Sequence, residues 1–146
     1  MKVKIKRLDP SIEIPKYHTK ESAGFDLASS VDISIAPGEV AKIPTGLVIA
    51  SPSGYFLLIT SRSSLALKKG LNMANGVGVI DPDYAGPNDQ VHIIVQNFTD
   101  HSVEIQKGER LAQGIFLPIQ QVELEETDLT RETDRGGIGS TGGYKT

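Results

Sequence analysis

Turn residues punctuate this chain at intervals of ~10 residues. Gly, Pro and an Asn–Gly pair break it before any long helical period can build up. Between them lie short runs rich in β-branched and aromatic residues, with no sustained apolar spacing of 3.6. That is the pattern of an all-β sandwich or barrel made of many short strands.

The runs can be placed along the chain. Val3, Ile5 and Arg7 alternate with lysines, as an edge strand with a lysine-rich solvent face would. Further strands are expected at 22–28, 31–35, 40–43, 47–50, 55–60, 91–95, 103–105 and 111–119. Asn97 to His101 and Lys107 to Arg110 read as turns. One helical turn is expected within 61–70, where serines precede Leu65 and Lys68-Lys69-Gly70 supplies a stop. Free backbone N–H groups at its start, beside Arg62, suit an anion. A plain serine cap with a solvated Arg62 fits the same residues.

With 146 residues, no internal repeat and no linker, the chain is expected to form one domain with a sizeable core. A formal net charge of -3 argues against a sequence-independent nucleic-acid binder. There is no Cys, which excludes disulfides, thiolate nucleophiles and zinc–thiolate sites. The N-terminus lacks a signal-peptide apolar core and no stretch is long enough to cross a bilayer, so a cytoplasmic protein without a membrane partner is expected. His18, His92 and His101 have no ligand spacing and read as surface or satisfied core residues.

Two carboxylate-bearing stretches and the C-terminus carry chemical interest. Residues 76–86 read GVGVIDPDYAG. Val77 to Ile80 is expected as a short buried strand, and Pro82 must end or bulge it. The turn that follows presents Asp81, Asp83 and Tyr84 on a rigid platform, where a catalytic group is usefully placed. The same residues also make an ordinary surface turn. Asp26 lies inside the apolar run Phe25 to Ala28, where burial is costly unless it is paired or hydrogen-bonded. From Arg131 onward the chain is nearly free of large apolar residues. Its Gly-rich stretch reads as a disordered tail or as a phosphate cradle of converging N–H groups.

Five stretches stand in order: AGFDL at 23–27, RSSLA at 62–66, GVIDPDYAG at 78–86, GERLAQ at 108–113 and RGGIGSTG at 135–142. In that order they resemble the five motifs of the homotrimeric dUTP diphosphatases, the dUTPases. The third and fourth are the most specific. The resemblance spans nearly the whole chain. It implies a jelly-roll-like β-barrel over 1–125 and a C-terminal arm over 126–146 that closes an active site. It also implies hydrolysis of dUTP to dUMP and pyrophosphate with Mg²⁺, in a homotrimer whose three subunits share each site.

The resemblance further assigns roles. Asp81 would orient and deprotonate the water that attacks the α-phosphorus, and Gln113 would help hold that water. Tyr84 would pack on the deoxyribose and leave no room for a 2′-hydroxyl. Asn75, in an Asn–Gly pair that favours hairpin turns, would read the uracil edge alongside backbone groups such as Gly78. Arg62, Ser63 and Ser64 would bind phosphates. Asp26 would be a supporting carboxylate near the metal–phosphate end, with Mg²⁺ held mainly by the phosphates and water. Arg135, with Arg131 as the alternative, would clamp the γ-phosphate, and Ile138, Gly139 and Ser140 would cover the nucleotide.

The chain departs from the family pattern in places. Ser64 stands where Gly is usual, Ile138 where an aromatic residue stacks on uracil, and no Arg follows Tyr84. The spacing from Arg135 to Ile138 is shorter than usual. Two other readings exist. The dCTP deaminases share the barrel and an Arg-Ser-Ser-like motif, but their catalytic Glu aligns with Ile94, and Val91 to Val95 contains no carboxylate. A non-catalytic trimeric binding protein would have no need to retain Asp81, Gln113, Tyr84 and the tail together.

Overall fold

The computed structural model describes residues 1–128 and 130–137. Among them are eleven strands and one short helix. The strands are β1 (Lys4–Arg7), β2 (Phe25–Ala28), β3 (Ile33–Ile35), β4 (Val40–Pro44), β5 (Leu47–Ala50), β6 (Tyr55–Ser61), β7 (Leu71–Met73), β8 (Gly78–Ile80), β9 (His92–Asn97), β10 (Val103–Ile105) and β11 (Arg110–Pro118); the helix α1 is Leu65–Lys69. Every pairing is antiparallel, in sheets ordered β1-β5, β10-β3, β2-β11-β6-β8 and β4-β9-β7. The ladders do not close into a single hydrogen-bonded ring.

One core lies between the sheets. Leu27, Ile43, Ile49, Leu57, Ile93 and Leu111 are all fully buried in it. Alternation produces this. In β9 the odd residues Ile93, Val95 and Asn97 point inward, and the even ones lie nearer the surface. Gly114 lets β11 approach its neighbours. A Cβ there would lie 2.7 Å from the Phe25 ring and 3.1 Å from Leu57 Cδ1, closer than packed carbons tolerate.

Several expectations change in detail. Leu71–Met73 forms a strand, β7, that sequence reading missed because three residues carry too little pattern. Asn97 ends β9 rather than opening a polar turn. It is fully buried, its amide donating to the carbonyls of Ile35 and His101 and accepting from the Thr99 N–H and hydroxyl. All four hydrogen-bonding positions of the amide are thus filled, which makes its burial affordable. The helix has a left-handed Gly70 at its end, φ 64°, as a stop signal should. Its Ser64 cap makes no side-chain hydrogen bond.

The strand expected to be buried, β8, is an edge strand paired only with β6. Val79 is 59 % exposed and Val77 46 %. β-Branched composition marked it as a strand but could not say which side would be covered. The Asn75–Gly76 turn also differs from a hairpin turn. It carries the chain from β7 in one sheet to β8 in another, with the Gly76 N–H donating to the Met73 carbonyl at 3.1 Å.

Candidate active site

β2, β11 and β6 lie side by side, and their register sets the site. Asp26 on β2 stands opposite Gln113 on β11, which stands opposite Thr60 on β6. Arg62 follows two residues later, on the face that Thr60 occupies. The β11 register with β2 shifts between Arg110 and Ala112. Arg110 and Gln113 are three residues apart and would otherwise face opposite sides of the sheet. The extra residue, a bulge at Leu111, turns both toward Asp26.

Asp26 is the centre of this face. Its side chain is 10 % exposed. Oδ1 lies 3.2 Å from Arg62 Nε, and Oδ2 lies 3.0 Å from Arg110 Nη1 and 2.9 Å from His18 Nε2. Arg62 Nη1 also donates to the Arg110 carbonyl at 3.3 Å. The expectation that a carboxylate in this run must be paired is met, by two guanidinium groups and an imidazole. The sequence marks Arg62 only as a phosphate ligand, and marks neither Arg110 nor His18 as a site residue. Arg110 sits inside the GERLAQ stretch and could have been picked from it; nothing in the sequence marks His18.

The remaining phosphate-binding candidates gather nearby. Ser63 and Ser64 follow Arg62 directly, and their N–H and hydroxyl groups have no partner among the described residues. The Arg62 guanidinium, held on one edge by Asp26, keeps N–H groups for a ligand. A cleft of about 600 Å³ opens beside Asp26 and Arg110, walled by the loop Ser11 to His18 and by Lys107.

Asp81 and Tyr84 lie elsewhere, while Gly78 pairs with Ile59, three residues before Arg62, and Asn75 lies in the turn before it, its carbonyl accepting from the Val77 N–H at 2.8 Å. Ile80 pairs with Leu57, five residues before Arg62, a run of roughly 16 Å at ~3.3 Å per residue. Asp81 continues away from Arg62, and Tyr84 lies in the turn beyond, its N–H donating to the Asp81 carbonyl at 3.2 Å. Both side chains are exposed. Gln113 pairs with Thr60 two strands from β8, so it lies roughly 14 Å or more from Asp81. A base and the amide holding its water must both reach one water molecule. Within one chain they do not. Gly78 faces Ile59, where a Cβ would come within 3.1 Å of that side chain.

In the arm, the described residues among 119–137 contain no strand or helix, and Arg131 and Arg135 are exposed. Ile138, Gly139 and Ser140 lie outside the described residues. The other histidines stay out of the site. His92 sits on β9 with its pKa pushed down by burial and by Lys42, and His101 contacts Asp100.

The donor set does not fit a protein-held metal. Among the described residues no three His, Cys, Asp or Glu side chains cluster to hold an ion. Both oxygens of Asp26 already face cationic or imidazole partners, and a divalent ion there would have to displace them. Asp26 is therefore arranged as an anchor for arginines rather than as a direct metal ligand.

Known proteins resemble this chain in sequence and fold. The family model described as dUTPase matches residues 10–142. A deoxyuridine 5′-triphosphate nucleotidohydrolase of Nautilia profundicola is 44 % identical over 144 residues, covering 97 % of this chain and 99 % of that one. The crystal structure of dUTPase from Streptococcus mutans superposes with a TM-score of 0.76 at 34 % identity, covering 83 % of this chain and 98 % of that one. The dUTPase of Staphylococcus bacteriophage 80alpha, solved with dUPNHPP, gives a TM-score of 0.83 at 29 % identity over 97 % of this chain and 98 % of the phage chain. An Arg62–Asp26–Arg110 anchor beside Gln113, an Asp81 turn at the far end of β6 and a family match over nearly the whole length lead to one conclusion: this chain belongs to the dUTPase family.

Proposed function

We propose that the protein hydrolyses dUTP to dUMP and pyrophosphate at sites completed by more than one copy of the chain, most simply a homotrimer. One observation carries the reading. The phosphate-binding face with Gln113 and the Asp81–Tyr84 turn lie at opposite ends of β6. Neither half makes a site alone, and two copies placed end to face supply both. The open β8 edge, with Val77 and Val79 exposed, offers apolar surface to bury between copies.

In such a site Arg62, Ser63 and Ser64 hold the phosphates of the nucleotide, and Arg62 needs no search for its orientation because Asp26 holds it. Asp81 of a second copy accepts a proton from water as the water oxygen attacks the α-phosphorus. The bond from that phosphorus to the bridging oxygen breaks, and pyrophosphate leaves. The Gln113 amide fixes the water, and the fixed donors stabilise the charge that develops on the phosphoryl oxygens. Tyr84 packs against the deoxyribose, and Asn75 with the backbone near Gly78 reads the uracil edge. The arm, 126–146, closes the site with Arg135 or Arg131 on the γ-phosphate and with Ile138, Gly139 and Ser140 over the nucleotide. Dependence on Mg²⁺ belongs to this reading; the ion would arrive on the phosphates, since the described residues offer no cluster of ligands for it.

Pyrophosphate release from dUTP, compared with dCTP, dTTP and UTP, tests the reading. Release from dUTP without ammonia is expected. Ammonia from dCTP would mark a deaminase, and no release from any nucleotide would mark a binding protein. Light scattering should return the mass of three chains.

A further inference from the structure

His18 belongs to none of the five motifs, yet it completes the charged cluster. Its Nε2 lies 2.9 Å from Asp26 Oδ2 and directly against Arg110 Nη1. The loop that carries it is pinned along its length. Arg7 Nη1 donates to the carbonyls of Pro10 and Ile12, Lys107 Nζ reaches Ser11 Oγ at 2.9 Å, and Tyr17 meets Phe25 edge-on at 5.7 Å. His18 is thus delivered to Asp26 by a held backbone, not by a chance swing of a loose side chain.

We infer that His18 is a positioning residue for the phosphate-binding Arg62, acting through the Asp26 carboxylate. This rests on the proposed role of Arg62 at phosphate. Two partners on Oδ2 fix the plane of the Asp26 carboxylate. That plane sets the direction of Oδ1, and Oδ1 holds Arg62 Nε at 3.2 Å. Without His18, Oδ2 is left to Arg110 alone.

The chemistry of the contact names its own conservative replacement. Imidazole Nε2 carries either a proton for Asp26 or a lone pair for Arg110, never both. A glutamine amide of similar reach offers an N–H to Asp26 and an oxygen to Arg110 together. His18→Gln should keep the anchor and His18→Ala should lose it.

Steady-state kinetics of the full chain on dUTP decide the matter. We expect His18→Ala to raise KM about fivefold with kcat within about twofold of wild type, the signature of lost binding without lost chemistry. His18→Gln should stay within about twofold of wild type in both. An unchanged KM in His18→Ala, or the same loss in the Ala and Gln variants, overturns the inference while dUTP hydrolysis by the wild type still stands. A wild type that does not hydrolyse dUTP overturns the role of Arg62 at phosphate and this inference with it.

Discussion

Arg62 and Asp26 are locked together, Nε to Oδ1 at 3.2 Å, although 36 residues of chain separate them. Asp26→Asn keeps the shape of the side chain and removes its charge. Arg62 and Arg110 are then left facing each other without a counterion. We expect a loss of about 1–3 kcal/mol in stability, the scale for leaving charged hydrogen-bond partners unsatisfied at a partly exposed site. The midpoint of urea unfolding should fall at unchanged slope. An unshifted midpoint would show that the arginines find equal partners elsewhere.

Asp81→Asn should leave the fold intact and lower kcat by ~10²-fold or more, the scale of a positioned general base. Because Asp81 and Gln113 cannot meet within one chain, the variant also allows complementation. Asp81→Asn and Gln113→Ala, each inactive, are unfolded together and refolded at equal amounts. Random mixing then places an intact Asp81 opposite an intact Gln113 in about a quarter of sites in a closed symmetric assembly. Recovery of about a quarter of wild-type kcat is expected; no recovery would place both groups in the same chain's site.

Tyr84 stands exposed in a turn, its hydroxyl making a long contact, 3.4 Å, to the Gln90 carbonyl. Tyr84→Ala should cost little stability and should raise kcat/KM for UTP relative to dUTP by removing a steric exclusion. The ratio of the two substrates is the readout. A fixed ratio with falling activity would make Tyr84 a structural residue.

Removing residues 131–146 should leave a folded, oligomeric body that still binds dUMP. It should hydrolyse dUTP very slowly, because the arm contributes donors and water exclusion rather than core. Single-turnover rates on the truncated protein check this, and near-normal turnover would make the arm a mere tail. Ile138→Phe in the full chain should hold or tighten dUTP binding by about 1 kcal/mol of stacking.

Some of this was legible in the residues themselves. Turn spacing and β-branched runs are local properties, so an all-β fold follows from Pro37-Gly38, Pro52 to Gly54, Gly108 and the runs between them. The cost of burying a lone carboxylate is also local, and it announced that Asp26 must have partners. Motif order carries the family likeness. Other facts depend on pairing between distant segments, which no local pattern encodes. The bulge at Leu111 decides that Arg110 and Gln113 share a face. The place of β8 at a sheet edge decides that Val77 and Val79 are exposed. The β6 register decides that Asp81 stands far from Gln113. His18 reaches Asp26 through a loop whose course is set by contacts with Arg7, Phe25 and Lys107. Hydrophobic pattern says which residues seek a core; only the pairing and packing of the sheets fixes which polar groups are left beside one another.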